Sequence, residues 1–544
     1  MKFICWGMLS LMLLFTAVMA PAQSPESYHG LLTKRVRSAK LPPPTHLKNY
    51  AQNGKLSLGL RDAILLTLEN NSAIQIDETQ IETQKFTLLG SFQLFDPSIQ
   101  STFNANRSSS PTYSQLQGTG TTGNITLNSL SQTGQVTYTQ TFTPGTNIVA
   151  EISSSKSSTN SSYNFFNPYY SSTVNFQFTQ PLLRGAGRFA NLASVIIARR
   201  TLEQSRANFE AEVNDAILQV ISQYWTAVQA RGALRVQQKS LDLAQVSYER
   251  DKRSLELGAL PPLDIYRSES EVAARKVSVI QAAYALTQAE EALLITIGAD
   301  QDPQFQSLEL DLTEKPQPTG DLESIDAATA LADALVRRPE IEVANKSLTI
   351  DDASIRLARN QLKPSLSLNG FYQSNGLGGN QMEGTKIVSG GFGSSMSQLF
   401  GFGYPGYGGT LTLTLPVRNR AGQANLGSAL VSRTRDLYTG QQTREQITRD
   451  VKNALHQLDE AKLALVAGAV SFDLAQKSLA SDQRKFDLGS ENNYFVLDSQ
   501  TKMSAAELSL LETQVDYQIA LATLRHAAGS LLEPYRVHIA ELSK

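Results

Sequence analysis

The chain holds a single cysteine in 544 residues, Cys5, and it lies ahead of an apolar run at the N-terminus. Once that segment is removed no thiol remains. Disulfides and thiol catalysis are thereby excluded, and the position of Cys5 argues against a lipid anchored on an N-terminal cysteine. Histidine is scarce too: His29, His46, His456, His526 and His538 show no metal-ligand spacing and no His-Glu-x-x-His. No Gly-x4-Gly-Lys-Ser/Thr loop is present, so nucleotide hydrolysis is not expected. Gly185-x-Gly187 superficially suits a dinucleotide loop, but the third glycine and the following βαβ unit are missing. Neither sign of charge dominates, with Lys+Arg 48 against Asp+Glu 50 and a net charge of −2, so no nucleic-acid partner is implied. Beyond the N-terminus no continuous apolar run approaches the roughly 18–20 residues of a membrane-spanning helix. A closed β-barrel escapes that test, because its strands alternate. We expect no enzymatic activity, no cofactor and no bound metal.

Repetition is what the chain has in abundance. A helical hairpin occurs twice, 231 residues apart and without a gap. Arg253, Leu255, Leu257, Gly258, Ile265, Ser268 and Gly298 correspond to Arg484, Phe486, Leu488, Gly489, Val496, Ser499 and Gly529. A heptad stripe runs into the first turn as Val213, Val220, Ala227, Leu234, Leu241, Tyr248 and Leu255; its copy is Val451, Leu458, Leu465, Phe472, Leu479 and Phe486. Stripes leave the turns as Ile265, Val272, Val279, Leu286, Leu293 and as Val496, Met503, Leu510, Tyr517, Leu524. Strict seven-residue spacing over such lengths demands left-handed coiled coils.

Upstream of each hairpin a shorter helix repeats at an offset of 267, carrying Ile74, Ile81, Leu88 and Phe95 or Ile341, Leu348, Ile355 and Leu362. Each stops at a proline, Pro97 or Pro364, and gives way to alternating residues at 98–107 or 365–371. A second alternating run, 172–180 or 409–415, leads back to the long helix. The unit is helix, strand, loop, strand, long helix, turn, helix. A helix over 188–257 would be roughly 105 Å long at 1.5 Å per residue, which two shorter helices stacked end to end would match.

Lys2, the run 8–19 and the small Ala20 and Ala22 read as a signal peptide at 1–22. An N-terminal arm follows at 23–55, with repeat 1 at 56–300 (strands within 98–181, hairpin 188–298). A linker at 301–322 leads to repeat 2 at 323–532 (strands within 365–416, hairpin 421–529) and a tail at 533–544.

Three sets of residues carry a family resemblance. One is Leu56-Ser57-Leu58…Ala63…Leu68-Glu69-Asn70-Asn71, with a second copy around Ala330…Arg338-Pro339-Glu340-Ile341. Another is the junction Gln180-Pro181-Leu182-Leu183-Arg184-Gly185-Ala186-Gly187-Arg188. The third is the pair of turns Leu257-Gly258-Ala259-Leu260…Leu263-Asp264-Ile265 and Leu488-Gly489-Ser490…Val496-Leu497-Asp498. Each motif is weak alone; their duplicated order with matched lengths is not. Over about 56–532 the chain resembles the TolC-like outer-membrane efflux proteins. The resemblance implies an α+β membrane protein and a homotrimer whose chains each give four strands to one outer-membrane β-barrel, continued by a periplasmic α-helical barrel. It also implies a passive exit duct for efflux or type I secretion, seated in outer-membrane lipid and served by a periplasmic adaptor protein and an inner-membrane transporter. The alternative, a structural or adhesive surface protein with polar extracellular loops, has no need of two matched hairpins.

The resemblance also puts function at the hairpin tips. Gly258 and Gly489 read as left-handed helix caps. By position, Gly258, Ala259, Leu260, Gly489, Ser490 and Glu491 take the adaptor-docking role. Asp264 and Asp498 suit helix N-termini. In the family, acidic residues at the second turn constrict the tunnel; Asp498 matches one such position and Phe495 stands at the other. The Arg and Tyr that pair with the family's first-turn aspartate are here Glu491 and Phe486. A periplasmic gate is therefore expected from Asp264, Phe486, Tyr494, Phe495 and Asp498.

One segment leaves two architectures open. Within the Ser/Thr/Asn-rich stretch 108–171, Val136, Tyr138 and Phe142 alternate before Thr143-Pro144-Gly145-Thr146, and Ile148, Ala150 and Ile152 alternate after it. Two extra barrel strands per chain would give eighteen strands in a trimer. The polar composition instead favours a twelve-strand barrel with an accessory hairpin, which is the expectation adopted.

Overall fold

The structure is a computed structural model that describes residues 46–52, 55–112, 126–161, 164–258, 265–301, 309–318, 322–323, 325–383, 386–388 and 390–535. The expected signal peptide and most of the N-terminal arm lie outside the described residues, as do Ala259, Leu260 and Asp264.

After short strands β1 (Ala51–Gln52) and β2 (Lys55–Leu58), helices α1 (Leu60–Asn70) and α2 (Ser72–Gly90) lead to four long strands. These are β3 (Ser98–Pro111), β4 (Thr126–Thr141), β5 (Asn147–Thr159) and β6 (Phe166–Pro181). Helices α3 (Arg188–Glu256) and α4 (Ile265–Thr296) form the first hairpin, and β7 (Glu309–Leu312) follows. The second repeat runs α5 (Ala327–Arg337), α6 (Pro339–Gln361), β8 (Ser365–Glu383), β9 (Lys386–Val388), α7 (Phe392–Phe400) and β10 (Pro405–Thr414). It closes with α8 (Arg420–Asp487) and α9 (Asn493–Ala527).

The expected accessory hairpin is instead part of the wall. β4 and β5 are full members of one antiparallel sheet of order β10-β8-β6-β5-β4-β3, with β9 paired to the far end of β8. Each chain thus brings six long strands. Register explains why the polar composition misled. Directly opposite residues share a face, and the pairs Ile99↔Tyr138, Val136↔Ile152, Ile148↔Phe178, Phe176↔Tyr372 and Leu368↔Leu411 put one apolar face across all six strands. Most of the threonines and many of the amides occupy the other face, as in Thr137↔Glu151, Ser153↔Thr173 and Asn175↔Gln373. A strand with one lipid-compatible and one aqueous face needs few apolar residues. The Gly-rich stretch 374–409, between the two alternating runs of repeat 2, is likewise largely β8, α7 and the start of β10.

The helices continue the sheet. α3 has 69 residues and α8 has 68. α4 and the α1–α2 pair pack along α3; α9 and the α5–α6 pair pack along α8. α3 also meets α6 and α9, which joins the repeats. The short helices meet end to end at closely fitted glycines: a Cβ on Gly298 would stand 2.7 Å from Asn70 Cβ, and one on Gly529 3.0 Å from Arg337 Cβ. Asn71 Nδ2 donates to the Thr296 carbonyl at 3.0 Å across the first of these junctions.

The deepest core lies at mid-height. Leu56, Leu58, Ile64, Ile217, Ile221, Leu293 and Leu310 are fully buried there. β7 pairs in parallel with β2 (Leu56↔Leu310, Leu58↔Leu312) and straps the inter-repeat segment onto the helices. Tyr224 Oη donates to the Leu58 carbonyl at 3.1 Å and accepts from Glu314 N at 3.3 Å, and burial pushes this phenol up to about 12. Toward the tips the heptad stripes thin out. Val213, Val220, Val451 and Leu458 are buried, but Leu241, Tyr248, Leu479 and Phe486 are only half-buried within one chain.

Candidate functional site

The two hairpin tips are built by the same local rules. α3 and α8 each end on a glycine in left-handed conformation, Gly258 at φ 73° and Gly489 at φ 72°. Each glycine N–H returns to the helix, Gly258 to the Leu255 carbonyl at 2.9 Å and Gly489 to the Phe486 carbonyl at 2.8 Å. In the second tip Ser490 N adds a bond to the Lys485 carbonyl at 2.9 Å, which completes a Schellman cap. Only glycine takes this backbone freely.

A carboxylate then ties each long helix to its return helix. Ser268 Oγ donates to Asp251 at 2.8 Å in the first hairpin, and Ser499 Oγ donates to Asp482 at 2.5 Å in the second. Both residues of each pair stand 231 positions from their counterparts. The Ser499 hydroxyl, with Lys485 nearby, holds the Asp482 carboxyl below the usual aspartate range. Lys485 bridges Glu491 at 3.0 Å and Asp482 at 3.4 Å, and these partners raise its ammonium above the ordinary lysine value.

The hairpins also grip each other. Asn493, buried at the start of α9, donates to Asp251 at 2.7 Å, while Arg250 donates to Asn493 Oδ1 at 2.7 Å. The Arg250 guanidinium stands 4.3 Å from the Phe486 ring centre, and that of Arg267 stands 5.1 Å from Tyr494. Such contacts are worth about 0.5–2 kcal/mol each, depending on desolvation. Farther from the tips, Lys239 reaches Glu507 at 3.5 Å. Each of these contacts joins the first hairpin to the second.

Among the residues expected to form a gate, Phe486 and Tyr494 are thus seated under arginines of the other hairpin. Phe495 packs edge-on against Tyr494 at 5.4 Å and remains half exposed. Asp498 does not join them; it pairs with Lys502 one turn on, at 2.7 Å, and raises that ammonium. Of the docking residues, Gly258, Gly489 and Ser490 are exposed and Glu491 is half-buried at the tip surface. Arg250, Asp251, Ser268 and Asn493 were not singled out as site residues from the sequence. The 231-residue offset that matches Asp251 to Asp482 could have found the carboxylates. Asn493 stands opposite Pro262 at that offset, so the repeat left no such signal for it.

Comparison with known proteins fits this geometry. The sequence profile described as "Outer membrane efflux protein" matches residues 134–299 and 330–530. The outer membrane protein TolC of Vibrio cholerae is 23% identical over 340 residues, covering 62% of this chain and 73% of that protein. Outer membrane protein OprJ of Pseudomonas aeruginosa is 26% identical over 246 residues, covering 44% of this chain and 46% of OprJ, so the match spans about half of that relative. A crystal structure of a membrane protein from Pseudomonas aeruginosa superposes with a TM-score of 0.62 at 19% identity, covering 94% of this chain and 100% of the other, which shows the fold. With a one-sided sheet continued by a duplicated helical wall, and with the family profile matching most of its length, the chain belongs to the outer membrane efflux proteins, exit ducts of efflux systems seated in the outer membrane.

Proposed function

We propose that three copies of the chain close head to tail into a passive duct, with an eighteen-strand barrel in the outer membrane and a helical tunnel in the periplasm. The observation that carries this reading is a wall with two unlike open edges. One edge is β3 with α2 and α4; the other is β10 with α8. Hydrocarbon offers no partner to the unpaired N–H and C=O groups of β3 and β10, so another protein edge has to supply them. Apolar stripes follow both edges down the helices. Val277, Ile280 and Tyr284 on α4 are more than half exposed, as are Leu463, Val466, Val470 and Leu474 on α8. Spacings of three and four put each set on one helix face. Unlike edges that fit each other form a heterologous contact, which makes a ring when the rotation closes. Three is the number the family resemblance implies, and six strands per chain then give eighteen.

In this assembly the hairpin tips form the periplasmic end. Gly258, Ala259, Leu260, Gly489, Ser490 and Glu491 receive the adaptor, and an inner-membrane transporter supplies the energy. Arg250, Arg267, Phe486, Tyr494 and Phe495 form the constriction, with Asp498 adding charge beside it; for Asp264 the gate role is the one the family resemblance implies. Mass measurement on the detergent-solubilised protein at micromolar concentration is expected to give the trimer; a stable monomer overturns the reading.

A further inference from the structure

α7 lies against the sheet rather than in the helical wall. Ser395 Oγ stands 2.8 Å from Ser172 Oγ and 3.0 Å from the Gly376 carbonyl, and Ser374 Oγ donates to the Leu399 carbonyl at 2.8 Å. The approach is so close that a Cβ at Gly376 or Gly378 would collide with the carbonyl of Ser395 or Gly391. Ser374, Gly376 and Gly378 alternate on the same face of β8 as Tyr372 and Leu368. α7 therefore sits on the apolar face of the sheet, at the end remote from the helices.

The exposed side of the segment 392–404 is uncharged, with Phe392, Phe400, Phe402 and Tyr404 set among small serines and glycines. Phe400, Phe402 and Tyr404 are each about half exposed, and no charged residue occurs between Lys386 and Arg418. Phe402 holds a left-handed backbone conformation (φ 50°) that a side chain normally avoids, and its ring lies 6.3 Å from that of Tyr372. The height of the segment is telling. From Leu366 to Gly376, strand β8 rises roughly 33 Å at about 3.3 Å per residue, or about 25 Å along the axis of a barrel tilted near 40°. That equals the apolar band of an outer-membrane barrel, about 25 Å, so α7 stands at its outer rim.

We propose that residues 391–404 form a membrane-interface anchor, with α7 lying flat on the outer wall where acyl chains of the outer leaflet meet their headgroups. The inference rests on the membrane-barrel reading above. Aromatic side chains favour that boundary, since their rings are apolar and their edges tolerate water. The occupant of the exposed face is lipid rather than water.

Tryptophan fluorescence tests this in the mature trimer, which lacks the N-terminal segment with Trp6, carrying Trp225→Phe and reconstituted in phosphatidylcholine vesicles with bromine at shallow or deep acyl positions. Phe400→Trp and Tyr404→Trp report on the segment, and Phe176→Trp reports on the apolar band of the sheet. All three replace exposed aromatic side chains, so the fold should tolerate them. The expected result is that Phe176→Trp loses most emission to deep bromine. Phe400→Trp and Tyr404→Trp should lose most to shallow bromine and resist aqueous iodide. Quenching of the Phe400→Trp and Tyr404→Trp probes by iodide alone would place the segment in water, and protection from both quenchers would place a neighbouring chain over it; either overturns the proposal while Phe176→Trp still reports lipid. If Phe176→Trp is not quenched by bromine, the barrel reading fails as well.

Discussion

Asn493 donates to Asp251 at 2.7 Å, so the first residue of the second hairpin's return helix is held by the long helix of the first. Asp251 also takes the Ser268 hydroxyl, which makes one buried carboxylate the anchor within a hairpin and between hairpins. Replacing it by alanine strands two donors, and leaving buried polar groups unpaired costs about 1–3 kcal/mol. We predict that Asp251→Ala and Asn493→Ala each loosen the tips and raise single-channel conductance in planar bilayers. The two substitutions should be non-additive, because they remove one shared contact. Additive effects would show that the contact does not couple the hairpins.

Gly258 and Gly489 allow a clean test of adaptor docking. A Cβ built on either meets nothing within 4 Å, so a new side chain would project into solvent. The cost is the left-handed backbone, about 1–2 kcal/mol per site. Gly258→Glu combined with Gly489→Glu is expected to abolish export while the trimer mass is retained. Export at the native level would contradict docking at these tips.

The six-strand sheet predicts which ends of β4 and β5 face the cell exterior. Their turn at 142–146 packs on the β6–α3 junction, where Gly187 N donates to the Pro144 carbonyl at 3.1 Å. This end lies beside the helices and hence on the periplasmic side. In a chain whose single native cysteine is Cys5, Ser158→Cys should react with an impermeant maleimide on intact cells. Thr143→Cys should stay protected until the outer membrane is permeabilised. Equal labelling of both would mean that the hairpin stands outside the membrane.

Tyr224 predicts a pH dependence at the mid-height core. Its phenol is pushed up to about 12 in the fold, against an ordinary value near 10. Above about 10 the unfolded chain ionises this group while the folded chain keeps it neutral, so stability is lost as pH rises toward 12. Tyr224→Phe should cost about 1–2 kcal/mol near neutrality, from the bonds to Leu58 and Glu314. It should also flatten the alkaline loss. Urea unfolding midpoints at pH 8 and pH 11 check both expectations, and an unchanged alkaline slope would remove Tyr224 as its cause.

Periodicity and duplication made the helical half legible. Heptads from Val213 to Leu255 and from Val451 to Phe486 define long coiled coils without any knowledge of the fold, because the spacing itself dictates which face is buried. The glycine caps at 258 and 489 were equally plain, since a left-handed turn after a long helix selects that residue. The sheet was harder. Val136, Tyr138, Ile148 and Ile152 alternate, but whether their polar partners faced a lumen or open water depended on the strands beside them. Only the ladder from β3 to β10 made β4 and β5 part of the wall. The same limit applies to α7, whose nine residues carry too little pattern to announce a helix, and to Asn493, whose bond to Asp251 spans 242 positions. Local sequence determines elements whose stabilising contacts repeat along the chain. Contacts made once, between distant segments, are decided by the tertiary structure, because nothing in their own neighbourhood has to match.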